Sequence, residues 1–185
     1  MEELVERAKK NDEQAFDEII LMMEKEMYLV ARSKLNNDDD ISDAIQETII
    51  ICFKNIIKLK DNSLFKTWII RILINECNKI YKKKKKNIIS LDSNEIELKD
   101  EKDNDNNLSF HILIRNLNQE EKTILTLYYC SQYTTREIAD ILKIKENTIK
   151  SKIIRAKNKL KTEYEGELYE GELYEKYWWY ARNSK

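Results

Sequence analysis

The chain has 185 residues, 42% of them hydrophobic and 36% charged, which suits one domain or two small ones and excludes a large multidomain enzyme. It has no proline, and its only glycines are Gly166 and Gly171, so neither the glycine-rich phosphate loops of nucleotide-binding folds nor a hairpin-rich β architecture fits it. With those folds excluded, an all-α protein with short polar connections is the fold class that remains. Its 33 basic and 34 acidic residues give a net charge of −1.

Three segments in the first half of the chain have the apolar pattern of helices. The first has a stripe at helical spacing, formed by Phe16, Ile19, Ile20, Met23, Met27 and Val30. After a polar break at residues 36–40, residues 42–59 are rich in isoleucine but lack turn residues, which favours a mostly buried helix over a strand. Its expected apolar side consists of Ile45, Ile49, Cys52, Phe53 and Ile56. The third segment, residues 65–86, ends in lysines that suit a helix C-terminus, and its expected apolar face consists of Trp68, Ile69, Ile72 and Leu73.

Residues 87–107 differ from what precedes them. They contain seven acidic and two basic residues, many asparagines and few large apolar side chains, which is the composition of a flexible linker. The sequence therefore predicts two small helical domains, residues 1–86 and 108–161, with a tail at 162–185.

The second predicted domain has two helix starts with the pattern of a capping box. Asn118 is followed three residues later by Glu121, and Thr134 is followed by Glu137. We expect one helix from Asn118 through Cys130, a short helix Thr135–Leu142, and a basic helix from about residue 146 to 161. Residues 108–161 carry 11 basic and five acidic side chains, so this domain has a net charge of +6. Two short helices joined by a tight turn, the second one cationic, are typical of a DNA-binding helix-turn-helix.

The cysteines bear on chemistry and on location. Cys52, Cys77 and Cys130 lie far apart, and His111 has no cysteine or carboxylate at ligand spacing, so no metal site and no cofactor is predicted. An odd cysteine count and an acidic start without an apolar segment predict a reduced, soluble, cytoplasmic protein with no signal peptide. The longest apolar run, residues 49–53, is far shorter than the roughly 20 residues of a membrane span.

Three stretches, taken in order, resemble a known family. They are DISDAIQE at residues 40–47, FKTWIIRILIN at 65–75, and TREIADIL at 135–142 followed by NTIKSKIIRAK at 147–157. They are similar to the D-A-E-D-x-x-Q-E, F-x-T-W-L-x-R-I-A-x-N and Y-E-E-I-A-x-x-L…G-T-V-K-S-R-x-x-R-A-R patterns of extracytoplasmic-function sigma factors of bacterial RNA polymerase. The resemblance covers roughly residues 1–161. It implies an alternative sigma factor made of sigma regions 2 and 4, which binds core polymerase, recognises the −10 and −35 promoter elements and nucleates DNA melting.

The resemblance also implies the partners. Asp43, Gln46 and Glu47 lie at i, i+3 and i+4, so they share one helix face and can meet a basic helical partner. By family carry-over that partner is the clamp of the β′ subunit of core polymerase, and the flap of the β subunit and promoter DNA complete the set. Members of the family are commonly held inactive by an anti-sigma factor, which is a candidate partner here. The alternative for the three residues is an ordinary solvated face.

For the −10 element, Asn75 matches the family position that contacts a flipped base. The loop containing Lys60, Asn62 and Ser63 is expected to help form the base pocket. Trp68 can stack on bases, although an aromatic residue beside isoleucines is more often part of a core. Within the lysine run at residues 82–86, Lys82 and Lys83 are expected to neutralise backbone phosphates. This run reads alternatively as a solvated helix end or, in a eukaryote, as a nuclear-import signal.

For the −35 element, the basic helix is expected to enter the major groove. Arg155 is the candidate for bidentate contact with guanine. The predicted DNA-facing set is Thr148, Lys150, Ser151, Lys152, Ile154, Arg155 and Lys157. Lys143 stands where the family usually has glycine in the turn, which costs about 1 kcal/mol if that residue is left-handed.

Two other functions are alternatives to the sigma factor. A helix-turn-helix regulator that binds duplex DNA alone would not need the Asp43, Gln46 and Glu47 face. A small helical enzyme acting on nucleic acids lacks support because no nucleophile–base pair, metal cluster or pair of catalytic carboxylates is visible, so no catalytic residue is predicted.

The tail repeats Glu-Gly-Glu-Leu-Tyr and contains six aromatic residues in its last 17. It is either a solvated extension or a segment that docks on the second domain or a partner.

Overall fold

The computed structural model describes residues 1–89, 110–111 and 113–164. Throughout these residues the regular structure is helical, and the prediction of an all-α fold is confirmed. The chain divides into two compact units, Met1–Lys99 and Asp100–Lys185. The predicted linker and tail lie almost entirely outside the described residues, and the predicted domain boundaries stay predictions.

Four helices form the first unit: α1 (Glu2–Lys9), α2 (Glu13–Arg32), α3 (Asp38–Asn55) and α4 (Phe65–Ile89). Two single 3₁₀ turns, Ile56–Lys58 and Asn62–Leu64, join α3 to α4. Helix α1 was not predicted. It packs on α2 through Val5 and Ala8, which are its buried residues.

Helix α2 forms the centre of the first unit. It begins at an N-cap, where the Asp12 carboxylate accepts a hydrogen bond from the Ala15 amide at 3.0 Å. The predicted stripe is buried except for Ile20, which is half-buried. The apolar spacing therefore identified the core-facing side of this helix.

Helix α3 differs from the prediction in its bounds and in its buried face. It begins at Asp38, inside the predicted polar break, because the Asn37 side chain caps the Asp40 amide and acidic residues suit a first turn. It ends at Asn55, four residues before the predicted end. Its buried residues are Ile41, Ala44, Thr48 and Cys52, whereas Phe53 is 55% exposed. The isoleucines of α3 lie on several of its sides, so the apolar pattern did not define one core-facing side.

Helix α4 completes the first core. Phe65, Ile69, Leu73 and Cys77 are fully buried at helical spacing, and α4 packs against both α2 and α3. Trp68 and Ile72, which were predicted on the same face, are half-buried at its edge.

The second unit contains α5 (Gln119–Leu125), a π-helical turn at Thr126–Cys130, α6 (Thr135–Leu142) and α7 (Glu146–Tyr164). Both predicted capping boxes are present, at Asn118 with Glu121 and at Thr134 with Glu137. The expected single helix through Cys130 is instead α-helical only to Leu125 and π-helical beyond it.

Helices α6 and α7 are joined by the turn at Lys143, which has φ 59° and ψ 40° and is therefore left-handed. Both helices contribute to the core of this unit. Its buried side chains include Ile138, Ile141, Ile149, Ile153 and Ala156. Ala139 and Leu142, which were also predicted in this core, are half-buried.

Among the described residues, no helix combines the length and the apolar character that crossing a bilayer requires.

Candidate nucleic-acid interfaces

One polar surface lies on α3, on the side away from the core. Asp43, Gln46 and Glu47 are all exposed, while Ala44 and Thr48 anchor the opposite side. None of the three exposed side chains makes a hydrogen bond or an ion pair with the part of the chain that the structure describes. Two carboxylates four residues apart on a helix repel each other, so a cationic partner would stabilise this face.

A second surface runs along α4. Trp68, Arg71, Asn75, Lys79 and Lys82 recur every three or four residues and so form one stripe, about 21 Å long at 1.5 Å per residue. Asn75 and Lys82 are exposed, and Trp68 is half-buried against Phe65, with ring centroids 5.9 Å apart. An aromatic ring, an amide and cations in one line are the groups that bind a single strand of nucleic acid.

Not every cation near this stripe is equally available. Lys79 pairs with the buried carboxylate of Glu76 at 2.8 Å, and Lys84 pairs with Asp40 at the start of α3. Lys82 and Lys83 are exposed and have no ion pair within the described residues. The side chains at positions 85 and 86 lie outside the described part.

The loop before α4 holds three of the predicted residues in different surroundings. Lys60 is exposed and has no partner among the described residues. The Ser63 amide and hydroxyl both donate to the Asp61 carboxylate, at 3.0 and 2.7 Å. Asn62 is turned toward α1, where Glu6 and Lys9 bind its side-chain amide.

Helix α7 presents the third surface. Lys150, Ser151, Ile154 and Arg155 are all exposed, as their spacing predicted, and Ile154 is 60% exposed. Arg155 has no partner within the described residues, so its guanidinium is free to bind bidentately. An exposed apolar side chain beside it can meet a thymine methyl group. Thr148 is half-buried at the start of the helix.

The lysines of α7 are held within the unit. Lys150 pairs with Glu146 at 2.8 Å, Lys152 pairs with Glu120 at 2.5 Å, and the Lys157 ammonium lies 5.3 Å from the centre of the Tyr129 ring. Each must leave or share that partner to bind phosphate. The structure thus separates Arg155, the predicted guanine contact, from Lys150, Lys152 and Lys157, whose cationic groups already have partners within the unit.

Glu146 marks the beginning of α7. Hydrogen bonds from Lys150 and from the Thr135 hydroxyl lower the pKa of this carboxyl, and the nearby charge of Arg136 lowers it further. The carboxylate therefore stays ionised and joins α6 to α7.

Two residues that were not predicted belong to these surfaces. Arg71 lies in the α4 stripe, and its Nε is buried with no hydrogen bond among the described residues. Arg136 is exposed in the first turn of α6, and its charge acts on Glu146 at the start of α7. A cation one position after a helix start was the sequence signal for Arg136, and the 3.6-residue period from Trp68 to Asn75 was the signal for Arg71.

Two family models match the chain in order. Residues 20–87 match sigma-70 region 2, and residues 108–160 match sigma-70 region 4. The first ends two residues before the end of α4, and the second includes α5, α6 and all but the last four residues of α7.

Curated relatives agree with these matches. The RNA polymerase sigma factor SigV of Bacillus subtilis is 28% identical over 134 residues, which cover 71% of this chain and 80% of that protein. The ECF RNA polymerase sigma-E factor of Haemophilus influenzae is 25% identical over 177 residues, covering 86% of this chain and 93% of the relative.

Solved structures share the fold. The sigma factor RpoE in complex with the anti-sigma factor NepR from Bartonella quintana aligns with a TM-score of 0.71 at 22% identity, covering 80% of this chain and 94% of that one. CnrH in complex with the cytosolic domain of CnrY aligns with a TM-score of 0.68 at 16% identity, covering 89% and 97%.

Proposed function

Because the chain belongs to the extracytoplasmic-function group of the sigma-70 family, we propose that it directs RNA polymerase to promoters through the three surfaces on α3, α4 and α7. It is an alternative sigma factor for transcription initiation, and its partners are core RNA polymerase and promoter DNA. No finding favours the alternative of a regulator that binds duplex DNA alone.

The exposed face of α3 is proposed to bind the clamp of the β′ subunit. The single observation that carries this assignment is that Asp43, Gln46 and Glu47 are exposed together and unpaired among the described residues. These carboxylates would repel duplex DNA, whereas they would attract a basic helical partner. The flap of the β subunit is the proposed partner of the second unit.

The stripe on α4 and the loop before it are proposed to capture the opened −10 strand. Asn75 would contact a flipped base, Lys60 and Ser63 would line the pocket, and Trp68 would border it. Asn62 belongs to the same loop, but its side chain is turned toward α1. Lys82 and Lys83 would bind backbone phosphates and carry no sequence information. The exposure of Asn75, Lys60 and Lys82 supports these roles.

Helix α7 is proposed to read the −35 element in the major groove. Arg155 and Ile154 would contact base edges, and Lys150, Ser151 and Thr148 would lie beside them. Lys152 and Lys157 would face phosphates after exchanging their present partners, Glu120 and Tyr129.

The remaining assignments follow from the family. Sigma factors are initiation factors and not catalysts, and we infer that this chain catalyses no reaction itself and acts in the cytoplasm with the polymerase. Residues 1–86 and 108–161 would be its working domains and 87–107 the tether between them. An anti-sigma factor is a proposed regulator, in analogy with the anti-sigma factor NepR in the complex with RpoE. The tail at 162–185 would dock on the second domain or a partner, an idea that fails if its deletion changes neither promoter nor polymerase affinity.

The experiment that tests this function separates polymerase binding from DNA binding. Gln46→Ala is expected to lower the affinity for core polymerase, measured by competition, roughly tenfold, which is the effect of losing a central interface residue. Its affinity for duplex DNA should stay unchanged. Glu3→Gln, at an exposed and unpaired acid on α1, is the matched control and should change neither. Equal polymerase affinity for Gln46→Ala and the parent chain would remove this face from the interface.

A further inference from the structure

Two residues of α1 bind the loop that precedes α4. The Lys9 ammonium donates to the Leu59 carbonyl oxygen at 2.9 Å and to Asn62 Oδ1 at 3.1 Å. Asn62 Nδ2 in turn donates to Glu6 Oε2 at 3.0 Å. These bonds join residues at least 50 positions apart in sequence, so they are tertiary contacts. We call Glu6, Lys9 and Asn62 the loop clamp.

The clamp has a fixed base. Glu6 and Lys9 lie at i and i+3 on one face of α1, and Val5 and Ala8 bury the adjacent face against the body of the unit. The Lys9 side chain is half-buried, and two of the three hydrogens of its ammonium have partners. Charge-assisted hydrogen bonds in such a setting are about twice as strong as neutral ones.

The clamp holds both ends of the loop. The Leu59 carbonyl follows the 3₁₀ turn Ile56–Lys58, and Asn62 begins the 3₁₀ turn Asn62–Leu64 that leads directly into α4. Between these two points, Lys60 stays exposed and Asp61 binds Ser63. The loop is thus held at Leu59 and at Asn62, with Lys60 exposed between them.

The clamp also occupies Asn62. Its amide oxygen accepts from Lys9, and its nitrogen donates to Glu6. The hydrogen bond from Asn62 is the largest cause of the lowered pKa of the Glu6 carboxyl, with Lys10 contributing next. An amide used in this way on both atoms is poorly placed to read a base edge.

We propose that Glu6 and Lys9 are positioning residues that hold the loop of residues 59–64 ready for the opened −10 strand, and that Asn62 acts through this clamp and not by contacting a base. The proposal rests on the proposed function of the loop and adds α1 to it. It makes α1, a helix that the proposed promoter contacts do not include, a determinant of base discrimination at the −10 element.

The test uses the full-length chain with core polymerase and a promoter mapped by in vitro transcription. Lys9→Met keeps the length of the side chain and removes the ammonium. It is expected to speed hydrogen exchange of the Ser63 and Leu64 amides about tenfold and to lower discrimination between the natural −10 element and single-base variants by a similar factor. Affinity for core polymerase and for a −35 duplex should not change. Lys10→Met is the matched control: it removes a cation from the same helix that makes no hydrogen bond to Leu59 or Asn62 within the described residues, and its ion pair with Glu6 is exposed and contributes little.

Two further variants keep the test decisive. Glu6→Ala changes a half-exposed side chain, so it reports on the clamp even if Lys9→Met does not fold. Lys60→Ala tests the loop directly. Lys60→Ala could alter promoter opening while Lys9→Met and Glu6→Ala leave amide hydrogen exchange and −10 discrimination unchanged. In that case the proposed role of the clamp is wrong and the loop assignment stands. If all three variants discriminate like the parent chain, the loop does not read the promoter, and the loop assignment and the clamp are both wrong.

Discussion

Lys143→Gly is expected to stabilise the second unit. Lys143 has φ 59° and ψ 40° between α6 and α7, a left-handed conformation that costs a residue with a Cβ atom roughly 1–2 kcal/mol. Glycine removes that cost, but the substitution also lowers the stability of the unit by about 0.5–1 kcal/mol, because glycine makes the unfolded chain more flexible. The Ile144 amide donates to the Ala139 carbonyl at 3.1 Å through backbone atoms alone, so this bond survives the change. A net gain of about 0.7 kcal/mol remains.

Hydrogen exchange measures this gain in the full-length chain. The amide of Ile149, whose side chain is fully buried in the core of α7, should exchange about threefold more slowly in Lys143→Gly, since 1.4 kcal/mol corresponds to a factor of ten. Lys143→Ala is the control, because it removes the charge and keeps the Cβ atom, and it should exchange like the parent chain. Equal protection in the glycine and alanine variants would refute the argument from backbone strain.

Three other predictions concern the binding surface and the cores. Arg155→Ala should weaken specific −35 duplex binding by about 1–3 kcal/mol in fluorescence anisotropy at fixed salt, whereas Lys152→Ala should cost clearly less because Glu120 already holds that ammonium; equal losses would contradict the distinction. Glu121→Ala removes the side-chain half of a capping box and a 2.6 Å ion pair from a carboxylate that is 8% exposed, so urea unfolding should show a loss of about 2 kcal/mol in the free energy of unfolding. Glu120→Ala should lose less than about 1 kcal/mol, because its ion pair is exposed. Burial raises the pKa of the Cys52 thiol from 9.0 to about 12, so this thiol should resist iodoacetamide at pH 8. The free energy of unfolding should fall as pH rises above 9, because between 9 and about 12 the Cys52 thiol ionises in the unfolded chain and not in the folded one. Rapid alkylation of the folded chain would contradict the burial of this thiol.

The sequence predicted best what local interactions decide. The capping boxes at Asn118 and Thr134 involve residues three positions apart, and α6 has the bounds that were expected. The stripe of α2 was equally clear, because its apolar residues recur at helical spacing, although Leu21 and Met22 lie exposed on the other side of that helix. In α3 the isoleucines lie on several sides, and packing against α2 and α4 selected Ala44 and Thr48 for the core.

The site was predictable in its exposed residues and not in its partners. The spacing of Lys150, Ser151, Ile154 and Arg155 was enough to place them on one exposed face of α7. The pairing of Lys152 with Glu120 joins residues 32 positions apart, which no helical period reveals. The same reason hid the loop clamp, since α1 is short and its bonds to the loop form only when the unit folds.

Transcription in vitro tests the central claim most directly. Purified bacterial core polymerase, this chain and a genomic DNA library of its host would be combined, and the 5′ ends of the transcripts mapped. We expect discrete new start sites that share −10 and −35 elements and depend on the chain. No initiation, with the chain alone still binding duplex DNA, would contradict the assignment as a sigma factor and favour a helix-turn-helix regulator.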